Sequence, residues 1–211
     1  MKIANGETIL FIGDSITDCS RSRPIGKGMG LGGGYVSLVD SMLVSDFPEK
    51  EIRVLNLGIN GNRITDLESR WKRDVLDLEP DWLVVLIGIN DVWRQFDRPS
   101  DQNQVTIELF EKTYRTLIMN IKSSLSGLIL LSPYFIETDL EHPMRKQMDR
   151  YGTMVREIAE DFGADFIDLQ SSFDRYLSYR SIDSISDDQI HLNKIGQMKI
   201  ALDVFQTLTG D

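Results

Sequence analysis

Four short clusters of small and polar residues contain the side chains that could do chemistry. They are Gly13-Asp14-Ser15, Gly58-Ile59-Asn60-Gly61, Gly88-Ile89-Asn90-Asp91 and Asp188-Gln189-Ile190-His191. A serine hydroxyl is a weak nucleophile and needs a neighbouring base to take its proton. A histidine suits that task near neutral pH, and a carboxylate can hold its ring in one tautomer. Ser15, His191 and Asp188 could therefore act as nucleophile, general base and orienting acid in acyl transfer.

The same chemistry needs hydrogen-bond donors where the oxyanion of the tetrahedral intermediate forms. The backbone N–H groups of Ser15 and Gly61 and the side-chain amide of Asn90 could be those donors. A glycine at position 61 would let the backbone approach a ligand closely. Asp14 is a residue type that hydrogen-bonds to nearby backbone, so we expect it to be structural. Ser15 alone is weak evidence, because Gly, Asp and Ser are common in turns.

The general base has only two candidates, since His142 and His191 are the only histidines. His142 also lies three residues after an aspartate, Asp139. It follows a predicted strand as well, so its place in the chain does not exclude it. Asp187 is likewise an alternative to Asp188 as the orienting acid. The residues alone leave both choices open.

A scaffold must bring these clusters together, and five short apolar runs predict its strands. The runs are 8–12, 52–57, 82–87, 128–132 and 165–168, and the segments with helical spacing are 35–47, 66–78, 106–124, 149–162 and 194–208. Short runs rich in Val, Ile, Leu or Phe fit strands buried on both faces of a parallel sheet. Alternation of strands and helices predicts a three-layer α/β/α sandwich with right-handed crossovers. Ligands bind at the carboxyl ends of such strands, where the first three clusters fall.

Length and composition limit the class of protein. The 211 residues, 41% apolar and 27% charged, suit one domain spanning residues 1–211. A net charge of −10, with no cluster of Lys and Arg, argues against a nucleic-acid partner. Cys19 is the only cysteine, and we expect a buried, unreactive thiol. No apolar run is long enough for a signal sequence or a membrane span, so we expect a cytoplasmic protein with no membrane partner.

Two segments, residues 26–34 and 95–104, are predicted surface loops. Residues 28–33 spell G-x-G-x-x-G, but a dinucleotide fingerprint directly follows a strand and opens a helix, which is not the case here. No P-loop, H-E-x-x-H or C-x-x-C spacing occurs, so we expect neither a cofactor nor a metal site. The G-x-S-x-G elbow is absent because Thr17 stands at its second glycine, which argues against the α/β-hydrolase fold.

Together the four clusters resemble the GDS, glycine, GxND and terminal DxxH blocks of the SGNH (GDSL-type) hydrolase family. The match in order and spacing extends from residue 8 to about residue 207. It implies a flavodoxin-like sandwich with a five-stranded parallel sheet, and a serine esterase. The roles it implies are a catalytic triad of Ser15, His191 and Asp188 and an oxyanion hole of Ser15, Gly61 and Asn90. Since the terminal block precedes the last helix, the resemblance favours His191 over His142 and Asp188 over Asp187.

Three segments look like the bacterial intracellular acetylxylan esterase branch of that family. They are residues 13–18, 87–96 and 143–145. Members of this branch deacetylate xylo-oligosaccharides, so the resemblance implies an acetylated sugar as a small-molecule ester substrate. The chain departs from the family pattern at Asn60, where serine is usual, and at Leu192 and Gln197, where proline and a second histidine are often found. None of the three is an implied triad or oxyanion residue.

Trp93, Arg94 and Tyr134 follow predicted strand ends. Aromatic faces stack on sugar rings, so Trp93 and Tyr134 are predicted either to contact substrate or to pack at the rim of the site. Arg94 is predicted either to bind substrate or to pair with a loop carboxylate. A lysophospholipase or thioesterase is an alternative function, although it needs an extended apolar groove and the loops here are polar. A non-catalytic sugar-binding protein is a second alternative, which the intact set of implied site residues disfavours. The helix faces carry no clear interface signal and leave a homo-oligomer open.

Overall fold

Five parallel strands form a single sheet at the centre of the computed structural model, which describes residues 2–25, 28–100 and 102–210. The strands are β1 (Thr8–Gly13), β2 (Arg53–Asn56), β3 (Trp82–Leu86), β4 (Gly127–Leu131) and β5 (Asp165–Ile167), in the order β2-β1-β3-β4-β5. Every residue of β3 and β4 is buried, as expected for central strands covered on both faces. The predicted fold class is confirmed, and each predicted strand coincides with an observed one.

Helices cover both faces of the sheet. They are α1 (Ser15–Asp18), α2 (Tyr35–Asp46), α3 (Ile64–Asp74), α4 (Ile89–Asp97), α5 (Ile107–Met119), α6 (Pro143–Phe162), α7 (Leu169–Leu177) and α8 (Lys194–Thr209). The chain moves from β1 to β2 in one direction and then returns across the sheet to β3, β4 and β5. With right-handed crossovers, α2 therefore lies on one face and α3, α5 and α6 on the other. α8 packs against α2 and completes the first layer.

The strand order brings the segments that follow β1, β2 and β3 together at one edge of the sheet. Because β1 and β3 are neighbours, with Gly13 paired to Leu86, the segments that follow them emerge side by side. β2 flanks β1 on its other side, with Asn56 paired to Phe11. The first three polar clusters of the sequence therefore meet at the carboxyl ends of three adjacent strands.

Several helices differ from their predicted bounds. α6 begins at Pro143, six residues before the predicted start, because a proline at the first position of a helix loses no hydrogen bond. The predicted helices 66–78 and 106–124 each divide into an α-helix followed by a short 3₁₀ turn. α1, α4 and α7 are absent from the prediction, and α4 occupies part of the predicted loop 95–104. Gly26 and Lys27 of one predicted loop, and Asp101 of the other, lie outside the described residues.

α8 has two apolar stripes, and only one of them is buried. Ile195, Met198 and Leu202 form the outer stripe and are 53%, 39% and 44% exposed. The helix instead buries a neighbouring stripe that includes Ile200 and Val204. Both stripes are apolar at helical spacing, so the pattern does not indicate which of them faces the sheet. Within the described residues, no helix is long and apolar enough to cross a membrane.

Candidate active site

A cleft with a volume of about 430 Å³ opens at the carboxyl ends of β1 and β3. Its lining residues are Ser15, Ile16, Cys19, Ser20, Asn60, Gly61, Asn90, Trp93, Arg94, His191, Leu192 and Gln197. Each of the four sequence clusters contributes to this lining. The fold thus brings Ser15 and His191 together from positions 176 residues apart.

Ser15 is the first residue of α1, directly after β1. The strand approaches its neighbour closely at Gly13, where a Cβ would lie 2.2 Å from the carbonyl oxygen of Leu86. Asp14 caps α1, because its Oδ1 accepts the N–H of Ile16 at 2.9 Å. This bond is the local backbone contact expected of Asp14. The N–H of Ser15 has no acceptor within the described residues, so it is available to a ligand in the cleft.

His191 links Ser15 to Asp188 through both ring nitrogens. Its Nε2 lies 3.0 Å from Ser15 Oγ, and its Nδ1 lies 2.6 Å from Asp188 Oδ2. The second carboxylate oxygen, Oδ1, accepts the N–H groups of Ile190 at 3.0 Å and His191 at 2.7 Å. Partial burial acts to raise the pKa of Asp188, but the bonds from the His191 ring and these backbone groups outweigh it and lower the pKa. Asp188 is therefore held as a carboxylate that can orient an imidazole and balance its charge.

Several hydrogen bonds hold the loop that carries His191 in place. The hydroxyl of Ser186 donates to the carbonyl oxygen of His191 at 2.9 Å, and Asn193 caps α8 directly after the loop. The hydroxyl of Tyr134 donates to the carbonyl oxygen of Ile190 at 2.9 Å. These contacts hold the imidazole on a constrained loop rather than a free one.

The position of Tyr134 corrects one expectation. Its side chain is fully buried and packs against Phe173, with ring centroids 4.7 Å apart, so it cannot stack on a sugar in the cleft. The residue follows β4 as predicted, but its side chain points into the core and supports the loop that carries His191.

Cys19 was expected to be buried, but it is only half-buried and lines the cleft. Burial raises the pKa of its thiol, which keeps it protonated and weakly nucleophilic.

Two candidate oxyanion donors lie on separate elements across the cleft. Gly61 has φ +77°, a left-handed conformation that favours glycine, and the space where a Cβ would stand is open. Asn90, in the first turn of α4, donates one hydrogen of its Nδ2 to the carbonyl oxygen of Asn62 at 3.2 Å. Its Oδ1 accepts from Arg94 at 3.4 Å. The amide is thereby oriented, and its second N–H hydrogen is left for a ligand.

Arg70 of α3 joins two of the segments that form the site. Its guanidinium donates to the carbonyl oxygens of Gly13 at 3.1 Å and Leu57 at 2.8 Å, and to the side chain of Asn62 at 2.8 Å. Asp74 pairs with it at 2.8 Å, so a buried cation is matched by a buried anion. Sequence reasoning missed this residue. Nothing in a run of helical residues indicates that one arginine turns inward.

Trp93 and Arg94 both line the cleft. The indole of Trp93 meets the His191 ring edge-on, with centroids 6.3 Å apart and planes at 73°. The guanidinium carbon of Arg94 lies 4.3 Å from the centroid of the Trp93 ring, and Asp97 pairs with the same guanidinium. The two side chains form one stacked unit beside the imidazole.

The alternatives at the base and acid positions are placed elsewhere. His142 stands at the N-terminus of α6 with its ring centroid 5.5 Å from that of Phe135, and it does not line the cleft. The carboxylate bonded to His191 belongs to Asp188, while Asp187 is exposed. In the ranges that the structure describes, no group of three or more His, Cys, Asp or Glu side chains is arranged to hold a metal ion.

Residues 11–199 match the model of the GDSL-like lipase/acylhydrolase family. The chain belongs to this family. It is 44% identical over 204 residues to an acetylxylan esterase of Geobacillus stearothermophilus, covering 95% of this chain and 93% of that protein. It is thus homologous to a carboxylic ester hydrolase, and the predicted family resemblance is confirmed.

Solved structures agree with the fold. A tryptophan-to-isoleucine variant of Axe2, an acetyl xylan esterase from Geobacillus stearothermophilus, superposes with a TM-score of 0.96 at 43% identity, covering 99% of this chain and 97% of that one. LAE5, an alpha/beta hydrolase enzyme from the metagenome of Lake Arreo, has a TM-score of 0.96 at 42% identity, with 100% and 98% covered. Three further structures are catalytic mutants of Axe2 in which a serine, an aspartate and a histidine are replaced by alanine. Its aspartate and histidine are three positions apart, as Asp188 and His191 are here.

Proposed function

We propose that this protein is a serine esterase that removes short acyl groups, acetyl above all, from carbohydrate hydroxyls such as those of xylo-oligosaccharides. Ser15 is the nucleophile, His191 the general base and Asp188 the orienting acid. The oxyanion donors are the N–H groups of Ser15 and Gly61 and the amide of Asn90. The observation that carries the proposal is the continuous hydrogen-bonded series Ser15–His191–Asp188 on the wall of an open cleft.

The geometry supports a two-step reaction. Ser15 Oγ attacks the ester carbonyl carbon while its proton passes to His191 Nε2, and the carbonyl oxygen becomes an oxyanion held by the three donors. The intermediate then expels the alkoxide, which takes the proton from His191 and leaves as the free sugar hydroxyl. Water attacks the acyl-enzyme with His191 again as base. The second tetrahedral intermediate collapses, Ser15 Oγ leaves and takes the proton from His191, and the carboxylic acid is released and ionises in solvent.

The choice of a short acyl group rests on the cleft and on the relatives. The cleft of about 430 Å³ combines apolar with polar side chains, so it suits a short acyl group joined to a polar alcohol. The apolar ones include Ile16, Trp93 and Leu192, and the polar ones include Asn60, Asn90 and Arg94. The Trp93–Arg94 unit offers a stacking surface for a sugar ring, and the Geobacillus stearothermophilus relative is an acetylxylan esterase.

The nucleophile is tested by comparing two serines of the same cleft. Ser15→Ala should lower kcat for p-nitrophenyl acetate by about 10⁴-fold or more and abolish labelling by a fluorophosphonate. Ser20→Ala is the matched control, because Ser20 lines the cleft without a hydrogen bond to His191, and it should keep both properties. Unchanged hydrolysis by Ser15→Ala would refute the assignment.

The substrate class is tested with two series of esters. Among p-nitrophenyl esters from acetate to palmitate, kcat/KM should be highest for acetate and fall beyond butyrate. Acetylated xylo-oligosaccharides should lose acetyl groups, measured by mass spectrometry, faster than other sugar acetates. Rates that rise with acyl length would instead indicate a lipolytic enzyme.

A further inference from the structure

Two aspartates beneath the cleft have no part in the reaction described above. Asp14 follows β1 and Asp91 lies in the first turn of α4, which follows the neighbouring strand β3. Both side chains are 0% exposed. Each is also adjacent in sequence to a proposed site residue, Ser15 in one case and Asn90 in the other. Two buried carboxyls thus lie on the two elements that carry the nucleophile and an oxyanion donor.

One oxygen of each carboxyl holds a segment of the site. Asp14 Oδ1 accepts the N–H of Ile16 at 2.9 Å and so fixes the turn that presents Ser15. Asp91 Oδ1 accepts the N–H of Ile64 at 2.9 Å. Ile64 begins α3 directly after the loop that contains Gly61. Asp91 therefore ties that loop to the helix that carries Asn90.

The other oxygen of each carboxyl has no partner. Within the described residues, neither Asp14 Oδ2 nor Asp91 Oδ2 has a hydrogen bond. A buried carboxylate is normally neutralised by a paired cation or by several N–H donors, as Asp74 is by Arg70. Asp14 and Asp91 lack that compensation, so two negative charges here would be strongly unfavourable.

The surroundings supply little compensating charge. The titratable and charged groups within electrostatic reach of the pair are His191, Tyr35, Tyr134, Tyr151 and Arg63. Burial is the main influence and raises the pKa of each carboxyl to about 7. The charge of Asp14 adds to the effect on Asp91. The two groups therefore interact with each other, and Asp14 also interacts with His191.

We propose that Asp14 and Asp91 are positioning residues that act as a coupled pair holding at most one negative charge in the working enzyme. A protonated carboxyl keeps one oxygen for its N–H donor without burying a second charge. When the single remaining charge is on Asp14, it lies within electrostatic reach of His191. This inference rests on the proposed function, because it concerns how Ser15, the Gly61 loop and His191 are held.

Stability against pH tests the charge state without any activity assay. Each carboxyl has a folded pKa of about 7, above its ordinary value of 3.8, so the folded chain binds more protons between those values. The contribution of each protonated carboxyl is therefore lost as the pH rises towards about 7. Asparagine resembles the protonated acid at every pH. The urea midpoint of Asp14→Asn or Asp91→Asn, relative to the unmodified chain, should be higher at about pH 8 than at about pH 5.

Coupling is tested by combining the substitutions. At about pH 8, the two single gains should add to more than the gain of the double variant, because each single substitution also removes the repulsion between the charges. Asp74→Asn is the matched control. Its carboxylate is buried but paired, and the bonds from Arg73 and Arg70 lower its pKa, so this variant should lose stability without any gain at alkaline pH. Equal midpoint differences at both pH values for Asp14→Asn and Asp91→Asn would overturn the proposal.

The positioning role has its own readout. Asp14→Asn keeps an oxygen for the N–H of Ile16, and its kcat should fall by no more than about tenfold, whereas Asp14→Ala should lose about a hundredfold. An Asp14→Asn variant that loses as much kcat as Asp14→Ala would overturn the positioning role. An active Ser15→Ala variant would refute the proposed esterase mechanism. It would not affect the urea midpoints, which test the charge of the two carboxyls separately.

Discussion

Asp188 and Asp14 are two aspartates close to the same imidazole, and their surroundings are opposite. Asp188 lies on the cleft side, about half-exposed, and both its oxygens accept hydrogen bonds. Asp14 lies on the core side at 0% exposure, and one of its oxygens is unpartnered. Hydrogen bonds to Asp188 outweigh its partial burial and lower its pKa, whereas burial raises that of Asp14 to about 7. The pKa values of these two aspartates therefore differ because their surroundings differ.

The contrast indicates a division of labour between two layers. The cleft layer consists of the groups proposed to carry or balance charge during the reaction, which are Ser15, Gly61, Asn90, Asp188 and His191. The lower layer consists of groups that hold the loops in place, and it includes the paired Arg70–Asp74 and the unpaired Asp14 and Asp91. Replacing aspartate by asparagine keeps the shape of the side chain and removes its charge. This substitution should therefore affect kcat differently in the two layers.

The largest effect should follow from the same change made in both layers. Asp188→Asn should lower kcat by about 10⁴-fold, because an amide there no longer holds the tautomer of His191 with its proton on Nδ1, nor balances the imidazolium charge. Asp14→Asn should stay within about tenfold of the unmodified chain. Burst and steady-state kinetics with p-nitrophenyl acetate measure both. Equal losses of kcat in the two variants would contradict the division between the two layers.

The strands were the most predictable part of the fold. Buried parallel strands leave a strong signal, since a run such as 82–87 is apolar at nearly every position. Short helices that begin at a strand end leave a weak one. The first turn of α4 contains Asn90 and Asp91, which are also common turn residues, and Gly88 precedes it at φ +125°. The sequence therefore predicted where the chain changes direction but not that a helix starts there.

The cleft layer was predictable for a related reason. Ser15, Gly61 and Asn90 each follow a strand, so topology alone predicts that they meet. The lower layer was not predictable in the same way. Arg70 acts through side-chain reach from a helix, and Tyr134 follows a strand but turns inward. Position along the chain does not determine side-chain direction, and side-chain direction decides whether a residue contacts substrate or supports a loop.

A smaller effect should come from the oxyanion side of the cleft layer. Asn90→Ala should lower kcat by about 10²–10³-fold while leaving KM nearly unchanged, because the amide acts on the transition state. Asn62→Ala is a useful comparison, since Asn62 meets Asn90 only through its backbone carbonyl. Its side chain bonds Arg70, so its loss acts through the lower layer and should lower the urea midpoint more than kcat. A KM effect for Asn90→Ala that exceeds its kcat effect would contradict this assignment.

The smallest effect should be at the rim, where Arg94 stacks on Trp93. The Arg94 side chain is 20% exposed, so solvent still reaches the contact. A cation–π contact that solvent reaches contributes about 0.5–1 kcal/mol, which corresponds to about a two- to fivefold change. Arg94→Ala should therefore raise KM for acetylated xylo-oligosaccharides by about that factor. Its bond to Asn90 is long, at 3.4 Å, so kcat for p-nitrophenyl acetate should change little. Arg98→Ala is the control, because Arg98 also approaches Asp97 but is 66% exposed and does not line the cleft. A hundredfold loss of kcat in Arg94→Ala would instead make Arg94 part of the apparatus that orients Asn90, and the boundary between the rim and the reacting groups would have to be redrawn around it.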